Sequence, residues 1–140
     1  MNKIIRMGLA QINTTVGDLE GNRLKIIENI SKAETLACDV LVFPELTICG
    51  YPPEDLLLRK QFITDQRKII DELLLHVNDT TCVVGFVDSE NSNLYNSAAV
   101  LQDHKIAGIY HKIKLPNYSV FDEEGSFEAG NTPHIVDAGF

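Results

Sequence analysis

The run Val40-Leu41-Val42-Phe43, closed by Pro44-Glu45, constrains the fold of this chain more than any other segment. Four apolar residues without alternation read as a strand covered on both faces, the habit of parallel strands in α/β proteins. The carboxyl edge of such a sheet is where ligands collect. Here that edge carries a carboxylate, Glu45, and then the proline-rich loop Gly50-Tyr51-Pro52-Pro53.

The flanking segments fit the same architecture. Ile4 to Ile12 reads as a strand, and Val16-Gly17-Asp18 as a loop in which Asp18 caps a helix from Leu19 to about Ala37. Ile26, Ile27, Ile30, Ala33 and Ala37 recur at helical spacing within it. Asp55 is placed to cap a short turn through Leu56-Leu57-Leu58, and a second helix is predicted from Phe62 to His76. Thr81 to Val87 is a β-branched strand, Asn91-Ser92-Asn93 a turn, and Leu94 to Leu101 with Ile106 to Ile113 a hairpin around Asp103-His104. The order β-α-β-α-β-β-β predicts an α/β layer fold with a mixed sheet. No interior linker or repeat interrupts residues 1–140, which read as part of one domain. Ile135-Val136 is placed to begin another strand, and the ending Asp137-Ala138-Gly139-Phe140 reads as a cut within a domain.

Composition narrows the partners. A formal net charge of −8 argues against nucleic acid, whose phosphates need clustered Lys and Arg. No apolar stretch approaches the roughly 20 residues that span a bilayer, and no signal peptide is evident, so a cytoplasmic location without membrane attachment is expected. Cys38, Cys49 and Cys82 form no close pair, which fits reduced thiols better than disulfides or zinc. The four histidines show no metal-ligand spacing, so no metal site is expected, and neither known phosphate-binding glycine loop is present.

Two segments carry candidate chemistry. Glu45, at a strand end after an apolar run, would be partly desolvated, which raises a carboxylate pKa and suits general acid–base work; a solvated loop acid is the plainer alternative. Lys112 and Lys114 follow another apolar run and alternate to the same side of a strand. They serve either as edge protection or as a cation for a developing oxyanion. Tyr51 and Tyr118 each stand six positions after one of these groups, as half-buried aromatics or as pocket walls. His111 alternates away from Lys112 and reads as structural or exposed. Glu54, Asp55, Asp122, Glu123 and Glu124 read as capping or solvated loop acids. Cys49, four residues from Glu45, is the only thiol near the proposed site, but nothing beside it lowers its pKa.

Phe43-Pro44-Glu45-Leu46 together with Tyr110-x-Lys112-x-x-Leu115 resembles the carbon–nitrogen hydrolase (nitrilase) superfamily. The strings Gly50 to Leu58 and Leu115 to Glu123 narrow the resemblance to the glutaminase domains of glutamine-dependent NAD+ synthetases, over the whole chain. The resemblance implies a nitrilase-like α-β-β-α sandwich, of which this chain would be about the first half. It implies a Glu-Lys-Cys triad in which Glu45 is the general acid/base and Lys112 stabilises the oxyanion. Tyr118, and after it Tyr51, would line the pocket for L-glutamine. It gives Lys114 no catalytic part. The cysteine thiolate attacks the side-chain amide, and the glutamate passes the proton to departing ammonia. A C-terminal synthetase domain, holding ATP and Mg2+, would use that ammonia to convert deamido-NAD+ to NAD+; no cofactor is implied for these 140 residues.

Two departures stand out. The family's Ile-Cys-Glu-Asp string lies beyond the region matched, so this chain alone is expected to be inactive. Phe121-Asp122-Glu123-Glu124-Gly125-Ser126-Phe127 also replaces the usual Phe-Asp-Glu-x-Arg-aromatic-Phe, which removes an anchor for that loop. A generic nitrilase-family amidase, or a non-catalytic half-domain acting by association, are the alternatives, and homo-oligomerisation is expected of an uncovered sheet.

Overall fold

A computed structural model describes residues 4–118 and 122–139. Five strands form one mixed sheet in chain order: β1 (Met7–Leu9), β2 (Val40–Val42), β3 (Thr81–Glu90), β4 (Asn93–Gln102) and β5 (Lys105–His111). β1, β2 and β3 run parallel, and β3–β4 and β4–β5 pair antiparallel. Helix α1 (Leu19–Thr35) joins β1 to β2, and α2 (Lys60–Leu73) joins β2 to β3. The mixed α/β layer order predicted from periodicity is therefore present.

The helices also sit where parallel connections must put them. Both crossovers step along the sheet in the same direction, and right-handed crossovers then place both helices on one face. Ile26, Ile30 and Ala33 of α1 and Ile69, Ile70 and Leu73 of α2 pack there on Leu41, Cys82, Val84, Phe86, Ala99 and Leu101. The expectation that β2 is covered on both faces is corrected. Leu41 is buried, but its neighbours Val40 and Val42 are half-buried, as are Val83, Ala98 and Val100 on the same outer face. The described residues thus form one helical layer and one sheet layer.

Local chemistry explains most boundaries. Asp18 caps α1 by accepting the Gly21 N–H at 2.9 Å. The helix ends at Thr35, two residues earlier than periodicity suggests, because Ala37 turns left-handed (φ 50°). The Ala37 and Cys38 N–H groups then close back on the carbonyls of Glu34 and Ala33. Both hairpins use two-residue turns with left-handed central residues, Asn91-Ser92 and Asp103-His104. β3 and β4 accordingly extend beyond the predicted strands to meet at Glu90 and Asn93.

Three expectations fail. β1 is three residues long instead of nine, because its partner β2 offers only Val40 to Val42 before Pro44 and the chain turns tightly after Leu9. Asp55 does not cap: it lies inside a 3-10 turn, Glu54–Leu58, that has no side-chain cap. Residues 135–136 form no strand, although Val136 packs over Gly108 of β5. Among the described residues, no helix is long and apolar enough to cross a membrane.

Candidate active site

Glu45 stands in the turn directly after β2. That turn rests on Gly85 of β3, where a Cβ would lie 2.5 Å from the Leu46 nitrogen and 2.8 Å from the Pro44 oxygen. Only glycine permits this approach, since the obstructing atoms are backbone. Ile48 N–H donates to the Gly85 carbonyl at 3.1 Å, and the Thr47 hydroxyl donates to the Pro44 carbonyl. Leu46 takes a left-handed φ of 47°, uncommon for a branched residue and held here by complete burial.

The side of the turn is clamped by Asn22 of α1, which is 0% exposed. Its Nδ2 donates to the carbonyls of Thr15 at 2.8 Å and Ile48 at 3.0 Å, and its Oδ1 accepts the Thr15 N–H at 2.9 Å. Gly17 N–H donates to the Cys49 carbonyl at 2.9 Å. The loop that caps α1 and the turn that carries Glu45 are therefore one hydrogen-bonded unit.

Lys112 arrives from the other end of the sheet. It follows β5 directly, donates its N–H to the Asn96 carbonyl at 2.8 Å, and accepts the Gly130 N–H at 2.9 Å. Its Nζ lies 2.5 Å from Glu45 Oε1, across 67 residues of sequence, so the two predicted groups meet. It also lies 3.0 Å from Glu123 Oε2. Burial pulls the Lys112 pKa down, but hydrogen bonds and charge from Glu45 and Glu123 outweigh it and hold the ammonium above its ordinary 10.5.

The burial pattern inverts the expectation for the carboxylates. The Glu45 side chain is 44% exposed. The buried acid is Glu123, at 4%. Glu123 accepts from the Tyr51 hydroxyl at 2.9 Å, from Lys112, and from Asn96 Nδ2 at 3.2 Å. Asn96 also donates to Glu45 Oε1 at 2.8 Å. Reading Glu123 as a solvated loop acid is therefore wrong, because the 122–128 segment folds back over the site. Glu123 N–H reaches the Pro116 carbonyl, Glu128 N–H reaches the Leu94 carbonyl, and Phe127 is buried with Leu46, Cys49, Leu57, Ile63 and Val87. That anchoring holds without the arginine found in the family string; residues 119–121 of the string lie outside the described residues.

Glu123 and Asn96 escaped the sequence reading for different reasons. Glu123 sits among loop acids, where nothing local distinguishes it. Asn96 left a signal: it is a polar residue inside the apolar strand Leu94 to Leu101.

Tyr51 lies in the site, its phenol pKa raised by burial first and then by the hydrogen bond to Glu123 and the nearby carboxylate charges. It lines a cleft of about 190 Å³ with Pro53, Leu57, Asp122, Glu123 and Phe127. Tyr118 is 67% exposed and near enough to Tyr51 to influence its titration. Lys114 is exposed and beyond β5, so strand alternation does not apply to it. His111 does face away from Lys112: its Nε2 lies 3.0 Å from Asp88, and its ring stacks on Tyr95 at 4.0 Å. Cys49 is fully enclosed, and burial pushes its thiol up to about 12, which removes it as a nucleophile at neutral pH. Cys82 is also buried and pushed up to about 12. Among the described residues, no group of three His, Cys, Asp or Glu is arranged to hold a metal.

A family model described as carbon-nitrogen hydrolase matches residues 6–140. The chain is 47% identical, over 139 residues, to a glutamine-dependent NAD(+) synthetase of Thermotoga maritima, covering 98% of this chain and 24% of that protein. It is 40% identical to the corresponding protein of Acinetobacter baylyi, covering 96% of this chain and 25% of that one. A solved glutamine-dependent NAD+ synthetase from Acinetobacter baumannii, in complex with ADP, superposes with a TM-score of 0.80 at 38% identity, over 91% of this chain and 24% of that chain. An amidase from Nesterenkonia sp. shares the fold alone, with a TM-score of 0.78 at 20% identity, over 92% of this chain and 49% of that chain. The chain thus spans about a quarter of the length of the synthetases it matches.

Proposed function

The chain belongs to the carbon–nitrogen hydrolase family, and we propose that it is part of a glutaminase unit that releases ammonia from the side-chain amide of L-glutamine. In a longer protein that ammonia would serve an ATP-dependent synthetase domain converting deamido-NAD+ to NAD+. Support comes from the relatives, whose names carry both glutamine dependence and NAD+ synthesis. The observation that carries the assignment is the 2.5 Å pair of Glu45 and Lys112 at the sheet's edge.

Each group has a defined part. Lys112 keeps its proton across the physiological range, and its ammonium stabilises negative charge developing on the amide oxygen. Glu45, its side chain 44% exposed, takes a proton from the attacking thiol, gives it to the departing ammonia, and then activates the water that frees the acyl group. Tyr51 and Tyr118 flank the approach as the walls of the glutamine pocket. Burial speaks against Cys49, and the family resemblance puts the nucleophile in an Ile-Cys-Glu-Asp string outside residues 1–140. Residues 1–140 form the N-terminal portion of one amidase domain and are inactive alone.

Ammonia release from L-glutamine tests this directly. Residues 1–140 should release none. The longer protein read from the same gene should, and Glu45→Ala or Lys112→Ala should abolish it. Turnover by residues 1–140, or full activity in both variants, would overturn the assignment. The half-buried outer face of the sheet supports a second reading, in which association with another chain covers Val42, Val83 and Val100. A monomer by light scattering, with a single cooperative melt, would count against it.

A further inference from the structure

Asn96 lies on β4 opposite Val87, on the face turned away from the helices, and is 4% exposed. A carboxamide that buried must be hydrogen-bonded or it destabilises the fold. Among the described residues its side-chain amide bonds two carboxylate oxygens, Glu45 Oε1 at 2.8 Å and Glu123 Oε2 at 3.2 Å. Ionised carboxylates only accept, so it is the amide nitrogen that faces them, one hydrogen to each acid. The main-chain carbonyl of the same residue accepts the Lys112 N–H at 2.8 Å. One residue therefore holds the lysine by its backbone and both acids by its side chain.

An exposed Glu–Lys pair has little hold on its own geometry, because solvent competes and both side chains are long. Glu45 is such a residue, with 44% of its side chain exposed. The buried amide supplies what the pair lacks. It saturates Oε1, which then accepts from both Lys112 and Asn96. Oε2 has no hydrogen-bond partner among the described residues. We propose that Asn96 is a positioning residue: it locks Glu45 in the rotamer that meets Lys112, and so leaves Glu45 Oε2 as the oxygen that moves the proton. This rests on the amidase assignment of Glu45 and Lys112, but its geometry can be tested without any turnover.

Two measurements on the whole 140-residue chain decide it. In the first, the chain is briefly acetylated with an N-hydroxysuccinimide ester and each lysine is followed by mass spectrometry. Asn96→Leu should raise the Lys112 rate about tenfold, the loss expected when one charge-assisted hydrogen bond goes. Glu45→Ala should raise it likewise, and Lys105 and Lys25 should stay near their original rates. A Lys112 rate unchanged by Asn96→Leu, or raised together with every other lysine, overturns the proposal. The second measurement covers the case in which Asn96→Leu fails to fold, because it uses native Asn96. In 15N–1H spectra the Asn96 side-chain protons should both lie downfield, and Glu45→Ala should move one of them and spare the other. An amide pair that ignores Glu45→Ala overturns the proposal. Either result stands whether or not glutamine is hydrolysed.

Discussion

Replacing Glu123 with Gln removes a charge from a side chain only 4% exposed while keeping its shape. The retained carbonyl oxygen can still accept from the Tyr51 hydroxyl at 2.9 Å and from Lys112 Nζ at 3.2 Å. The new amide nitrogen, however, must occupy the Oε2 position, where Lys112 Nζ stands at 3.0 Å and Asn96 Nδ2 at 3.2 Å, and both are donors. A hydrogen bond to a charged group contributes about 1.5–3 kcal/mol; the one from Asn96 is lost, and with it the ion pair to Lys112. Lys112 is 28% exposed and keeps Glu45, so its share is discounted for solvent. The expected cost is about 2–4 kcal/mol, on the order of 10 °C in Tm for a domain of this size. Glu45→Gln, at an exposed side chain, should cost about 1 kcal/mol or less.

Urea unfolding at pH 7 and at rising pH checks both the size and the cause. The folded chain holds the Lys112 pKa above its unfolded value of 10.5. Its contribution to stability is therefore complete below pH 10.5 and is lost as pH climbs through the higher folded value. Glu123→Gln weakens that hold, so the alkaline loss should shrink in the variant. A variant within 0.5 kcal/mol of the parent at pH 7 (a margin set by typical surface substitutions), or with the same alkaline loss, would refute Glu123 as the buried partner of Lys112.

Three further outcomes are expected. Gly85→Ala should destabilise by about 3 kcal/mol or more in urea, since its methyl meets backbone that cannot step aside and overpacking of this kind is costly. Asn22→Asp puts a carboxylate against the carbonyls of Thr15 and Ile48, so its stability deficit should grow as pH rises from 4 to 7; a pH-independent deficit would refute the contact. Cys49 and Cys82 should react with a disulfide reagent such as DTNB only on unfolding, because burial holds both thiols protonated; rapid labelling of the native chain would contradict their enclosure.

The elements were legible because their signals are local. Apolar spacing over Ile26, Ile30 and Ala33 requires an amphipathic helix wherever it packs, and Asp18 marks its start through its own hydrogen bond. Hairpin turns at Asn91-Ser92 and Asp103-His104 follow from residues that accept left-handed backbone. Glu45 and Lys112 stood out because each ends an apolar run. Their meeting needed the sheet order, which carries two strand ends 67 residues apart to a single point.

Burial, by contrast, belonged to the tertiary structure. The same apolar run that reads as doubly covered in β2 is covered by helices on one face only, since the handedness of two crossovers decided where the helices went. The exposed and the buried carboxylate also exchanged places relative to expectation. Desolvation of a side chain depends on what packs over it from elsewhere in the chain, and the cover over Glu123 is a loop held by contacts to Pro116 and Leu94. Short-range spacing dictates which elements form and where a charge may stand; how far water reaches that charge is a property of the whole fold.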